Sequence, residues 1–168
     1  MKKLIVIIGP NGVGKSTTAS ALLEKCPQCA YVDSDWCRRI NPFAFTEATK
    51  QTVIENIYCL IKNYLLCSDI RTVVFPYGFH GERKEIFDLV MQKLKSDEIE
   101  ISLKLIVLKC SLDENRKRAM ADGRDLERIE RGINNTFHFY DGYTCPSIDT
   151  TMLTPEKVAE RILEIADC

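Results

Sequence analysis

The chain has 168 residues, 45% hydrophobic and 28% charged, with 23 basic against 24 acidic side chains and a net charge of −1. That length suffices for one domain with a sizeable core. The neutral balance gives no reason to expect long-range attraction to nucleic acid or to an anionic membrane surface, so any basic function must come from local clusters, and no apolar run approaches the roughly 20 residues of a membrane span.

The opening stretch, MKKLIVIIGPNG, imitates a secretory signal, with two lysines and then an apolar run. Leu4–Ile8 falls short of the roughly 7–15 residues of a signal's apolar core, and Gly9-Pro10-Asn11 makes no cleavage site. A strand buried on both faces is the better reading, and a cytoplasmic protein is expected. Lys15–Lys25 follows as a helix with Ala19, Leu22 and Leu23 on one side. Ala30–Asp33 reads as a second short strand, and Glu47–Leu66 as a long helix, its apolar residues Val53, Ile54, Ile57 and Ile61 keeping a period near 3.6. Thr72–Phe75 is a third strand closed by Pro76, Glu82–Lys95 a helix, and Ile101–Leu108 a fourth strand. Leu112–Ala121 and Leu126–Tyr140 are polar, arginine-rich helices split by Asp122-Gly123-Arg124-Asp125. Ser147–Asp149 ends a fifth strand, and Thr154 with Pro155 caps and opens the last helix. Strand and helix alternate throughout, which predicts one α/β domain over residues 1–168: a three-layer α/β/α sandwich on a five-stranded parallel sheet. Ligands of such sheets bind at the carboxyl ends of the strands.

Eight cysteines are present. Cys59, Cys67 and Cys110 lie in apolar runs, where cysteine behaves as a small hydrophobe. Cys26 and Cys29 form a C-x-x-C pair, but it follows a helix instead of opening one, and no second pair supplies further zinc ligands. Reduced thiols are expected.

The sharpest signal is Gly9-Pro10-Asn11-Gly12-Val13-Gly14-Lys15-Ser16, a complete G-x-x-x-x-G-K-[ST] pattern between a strand and a helix. Four residues between the fixed glycines let the backbone wrap a phosphate with its N–H groups inward. The helix that begins there adds unpaired N–H groups and the positive end of its dipole. Lys15 reaches the β- and γ-phosphates and Ser16 can ligate Mg²⁺, so Gly9, Asn11, Gly12, Val13, Gly14, Lys15, Ser16 and Thr17 are the expected nucleoside-triphosphate site. Neither N-K-x-D nor D-x-x-G occurs, which argues against a GTPase. A kinase and a stand-alone NTPase remain open, as does a nucleotide-binding module without catalysis.

After the second strand, Asp33 and Asp35 flank Ser34, and Trp36, Arg38 and Arg39 follow. Phosphoryl transfer to a hydroxyl uses a carboxylate to orient or accept its proton, and arginines can fork onto an anionic acceptor. His80, in the loop after the third strand, could contact the acceptor.

GPNGVGKST, DSDWCRRINPF and IDTTMLTPEKVAERIL together resemble the small P-loop kinases: adenylate and cytidylate kinases, shikimate and gluconate kinases, chloramphenicol phosphotransferase, and a group of bacterial nucleotide kinases or AAA-family ATPases. The resemblance implies the P-loop NTPase fold with a short helical lid, about residues 112–140, and an ATP- and Mg²⁺-dependent kinase of a small molecule, monomeric or dimeric. It implies that Asp35 is the general base, that Asp33 and Ser16 hold the metal, that Arg118 and Arg124 close on the phosphates, and that Asp33, Asp35, Arg38, Arg39 and His80 meet the acceptor. One departure stands out: many such proteins end the third strand with an acidic Walker B residue, where this chain has Phe75 and Pro76.

Overall fold

The β-branched run at the start of the chain becomes the central strand of the sheet. The computed structural model describes Met1–Cys168, and in it Leu4 through Ile8 have no exposed surface at all. Strand β1 (Lys2–Ile8) pairs with β3 (Thr72–Pro76) on one side and β4 (Ile101–Lys109) on the other. β2 (Cys29–Tyr31) adds to β3 and β5 (Ser147–Asp149) to β4, all parallel, in the order β2-β3-β1-β4-β5.

Side chains alternate across the sheet with period two, and both faces are covered. Leu4, Val6 and Ile8 join Val73 and Phe75 in a core with Ile54, Ile57 and Ile61 of α2 (Glu47–Leu66) and Ile86 and Val90 of α3 (Arg83–Ser96). Ile5 and Ile7 turn the other way, against Ala19 and Leu22 of α1 (Lys15–Lys25) and Val158 and Ile162 of α6 (Pro155–Ile165). The expected three-layer α/β/α sandwich is the observed one.

Local chemistry explains most boundaries. Thr46 opens α2 with a reciprocal capping box to Thr49, and Thr154 accepts from the Lys157 N–H ahead of Pro155. Pro76 is the last residue of β3, paired in register with Ile7. Tyr77 N donates to Ile7 O while Val74 O accepts from Val32 N, so Pro76 turns the side lacking a donor toward β2, which has already stopped at Tyr31. Helix α4 spans Leu112–Ala121 as expected, but α5 runs only Leu126–Thr136. The helical pattern does not reach Tyr140, because that residue turns into the core, where its hydroxyl accepts from Phe79 N at 2.9 Å.

Candidate active site

The loop after β1 is shaped by what its glycines must tolerate. A Cβ on Gly9 would stand 2.5 Å from the Leu108 carbonyl oxygen, and Gly14, the N-cap of α1, has φ +98°. Only glycine fits both at little cost. No acidic residue occupies the first turn of α1, so its free N–H groups present an unopposed positive end to an anion.

This loop forms one wall of a cleft of about 800 Å³. Asp33, Ser34, Asp35 and Arg38 from the end of β2 form another, with Pro76, Tyr77, Gly78 and Arg83 beside them after β3. Asn115, Arg118, Asp122 and Arg124 enter from α4 and the turn behind it, and Thr150 and Leu153 from the loop after β5. The carboxyl ends of four strands therefore meet at one site, as expected for an open parallel sheet.

Lys15 folds back, its Nζ donating to the Gly9 and Pro10 carbonyls, each at 2.9 Å. Burial, with Arg83 and Arg124 nearby, pulls its pKa down to about 7. A cation so poorly solvated and so flanked by like charge is primed for an anionic ligand. Asp33 and Ser16 both lie beside the Tyr31 phenol, which burial and the Asp33 carboxylate push up to about 12. Asp33 Oδ1 also accepts from Asp35 N at 2.8 Å, in an Asx turn that presents both carboxylates to the cleft. Arg38 grips Asp35 Oδ1 through Nε at 3.1 Å and through Nη2, leaving Oδ2 free.

No group of three or more His, Cys, Asp or Glu side chains is arranged to hold a metal. Mg²⁺ usually takes one or two protein groups and completes its shell with phosphate oxygens and water. Ser16 and Asp33 are the residues that could supply them.

Several predicted residues fall elsewhere. Arg39 lies over the exposed Trp36 ring, 4.5 Å from its centroid, and neither lines the cleft. His80 stands behind Gly78 and not on the cleft wall. Burial and the Arg83 charge lower its pKa to about 4, so the ring is neutral. Arg118, expected on the phosphates, is already engaged: Nε donates to Glu114 (2.9 Å), Nη1 to Val13 O (3.1 Å) and Thr150 Oγ1 (2.9 Å), and Nη2 to Thr150 O (2.7 Å). It braces the phosphate loop against the loop after β5. Arg124 has one surface partner, Asp122, and its charge bears on Lys15.

Two residues that sequence reasoning missed hold the loop from the other side. Buried Asn115 donates to Asn11 O at 3.0 Å, and buried Thr136 accepts from Asn11 N at 3.0 Å. Nothing in the sequence marks them, since each is one polar residue among many in a polar helix. Arg83 was also missed, masked by the charged run Glu82–Glu85.

Residues 5–139 match the family model described as AAA domain, which is most of the chain. The chain belongs to this AAA-domain family. No curated protein matches it. Among solved structures, the AAA domain is similar to the tunicamycin resistance protein of Deinococcus radiodurans at 21% identity and TM-score 0.67, covering 99% of this chain and 96% of that one. The APS kinase of Mycobacterium tuberculosis, solved with AMPPNP and APS, is 15% identical at TM-score 0.67, covering 99% and 98% of the two chains. The shikimate kinase of Bacteroides thetaiotaomicron is 17% identical at TM-score 0.59, covering 99% of each. At these identities the likeness establishes the fold, which is that of the P-loop kinases.

Proposed function

We propose that this AAA domain is an ATP-dependent kinase that moves the γ-phosphoryl group of ATP to a hydroxyl of a small-molecule acceptor. The observation that carries this reading is the pair Asp33 and Asp35, held by one Asx turn in the same cleft as Lys15 and the phosphate loop. Neighbours in the fold that act on APS or shikimate lend support.

In this mechanism the loop amides and the start of α1 hold the triphosphate, and Lys15 exchanges its two carbonyl partners for phosphate oxygens. Asp35 Oδ2 accepts the proton of the acceptor hydroxyl while Arg38 fixes the carboxylate. Arg124, carried by the segment at about 112–140 acting as a lid, meets the transferred charge and helps exclude water. Mg²⁺ bound with the nucleotide through Ser16 and Asp33 would neutralise phosphate charge.

The test is Mg-ATP turnover with and without candidate acceptors, read as ADP release. Acceptor-dependent release is expected, and Asp35→Asn should lower it by ~10²–10⁴ with ATP affinity nearly unchanged. Release indifferent to every acceptor and to Asp35→Asn would instead favour the stand-alone ATPase, and no release at all would favour the nucleotide-binding module without catalysis, in keeping with the acid-free end of β3 at Phe75 and Pro76.

A further inference from the structure

We infer that Cys26, Cys29 and Cys168 form a peroxide-sensitive thiol site, in which the exposed Cys168 is oxidised first and Cys26 closes a disulfide with it. The site lies at the amino ends of β1, β2 and β3, at the opposite edge of the sheet from the cleft, and it is independent of the reaction carried out there.

Sheet register and two helix ends bring the thiols together. Cys29, Thr72 and Lys3 are register partners across β2, β3 and β1, so their side chains share one face of the sheet. Cys26 is the C-cap of α1, which covers that face, and a turn at Pro27 and Gln28 returns the chain to Cys29. Cys168 arrives from the other covering helix, α6. Asp167 takes φ +53° and ends that helix in a Schellman motif, with Asp167 N donating to Glu164 O (3.3 Å) and Cys168 N to Leu163 O (3.0 Å). Residues other than glycine seldom take such a φ. Two of the three that do so in this chain, Gln28 (+54°) and Asp167, adjoin cysteines of this group.

The neighbours of the three sulfurs assign their order of reaction. Buried Thr72 places Oγ1 4.0 Å from Cys168 Sγ and also donates to Cys26, so one hydroxyl touches both sulfurs. Lys3 Nζ donates to Cys168 Sγ at 3.4 Å, which sets a cation beside the negative sulfur that attacks peroxide. Cys168 is exposed and Cys26 is buried, so the oxidant meets Cys168 first. Burial raises the pKa of Cys26 and of Cys29, the latter to about 12. Cys26 alone accepts hydrogen bonds from both Thr72 and Cys29 that favour its thiolate, so it is the second nucleophile. In the first step the Cys168 sulfur attacks one peroxide oxygen. The S–O bond forms, the O–O bond breaks and hydroxide leaves, giving the sulfenic acid. The Cys26 sulfur then attacks the Cys168 sulfur, forming the S–S bond and expelling a second hydroxide. The two thiol protons turn both hydroxides into water, and two electrons pass from the thiols to one peroxide. Metal binding is the other common use of clustered cysteines, but these three are not arranged to hold an ion.

The test treats the full-length reduced protein with hydrogen peroxide, blocks the remaining thiols with iodoacetamide and maps disulfides by peptide mass spectrometry. One intramolecular disulfide joining Cys26 to Cys168 is expected, and dithiothreitol should reverse it. Cys168→Ser should abolish this disulfide and leave Cys26 and Cys29 reduced. Cys26→Ser should halt the reaction at the sulfenic acid of Cys168, trapped as its dimedone adduct. Lys3→Gln should slow the reaction without changing which cysteines pair. Because Cys168 is exposed, the Cys168→Ser result stands even if Cys26→Ser fails to fold. The inference is overturned if peroxide produces no disulfide between Cys26 and Cys168, or if Cys26 pairs with Cys29 as readily in Cys168→Ser as in the parent protein. It is also overturned if added zinc binds tightly and blocks the oxidation, which would assign the thiols to a metal.

Discussion

Arg118 and Arg124 look interchangeable in the sequence, since each is an arginine in a polar, sign-alternating stretch. Their surroundings give them different work. Arg118 makes four hydrogen bonds that tie Glu114, Val13 and Thr150 together, so Arg118→Ala should destabilise the protein by roughly 2–3 kcal/mol, read from urea midpoints. Arg124 pairs only with the exposed carboxylate of Asp122, and Arg124→Ala should leave the same midpoints within about 0.5 kcal/mol while lowering turnover. Equal midpoints in the two variants would show that the Arg118 contacts do not hold the loop. His80 gives a pH signature. Its folded pKa of about 4 lies below the ordinary 6.5, so the unfolded chain takes up a proton first as pH falls. Stability from this group is complete above pH 6.5 and drains away as pH falls toward 4. A His80→Asn variant should flatten that part of the pH–stability curve, and a curve unchanged by the substitution would place the acid sensitivity elsewhere.

At the scale of elements, α4 and α5 were legible as polar helices, and α5's cap at Asp125 is a local signal visible in the sequence. What they do was not legible. Asn115 of α4 and Thr136 of α5 clasp the carbonyl and N–H of Asn11 within the phosphate loop, and Arg116–Glu130 joins the two helices. The segment formed by α4 and α5 is therefore tied to the phosphate loop at both ends, whereas nothing lies within 4 Å of where a Cβ on Gly123, in the turn between them, would be. Asn115→Ala leaves the Asn11 carbonyl and the Cys110 thiol without their donor, and should cost about 1–3 kcal/mol. Hydrogen exchange at Asn11 and its neighbours should speed up in that variant, and unaltered exchange would mean that the clasp does not rigidify the loop. The early end of α5 shows why such details escape sequence reasoning. The helical pattern of the sequence continues to Tyr140, but in the fold that side chain is buried and its hydroxyl accepts from Phe79 N, 61 residues away in sequence.

For the whole molecule, the missing acidic residue at the end of β3 is a packing fact. Phe75 has no exposed surface and stacks on Tyr77 with ring centroids 4.8 Å apart. Phe75→Asp should not install a metal ligand. It should remove a core ring and bury a carboxylate among apolar side chains, costing about 3–5 kcal/mol or more, visible as loss of the cooperative thermal transition. A well-folded Phe75→Asp protein would show that this position can open to the cleft. By itself the sequence determined the alternation of strand and helix, the buried character of β1, and the phosphate-binding loop, because these rest on local periods, on caps and on glycines whose spacing is fixed by the anion they wrap. Only the tertiary structure decided the order β2-β3-β1-β4-β5, which brings Asp33, Asp35 and Arg83 to the cleft and leaves Arg39 and His80 off its wall. The physical reason is that a side chain's direction and its neighbours are set by strands and helices far away in sequence, so the meeting of Cys168 with Thr72 and Cys26 could not be told until the chain was folded.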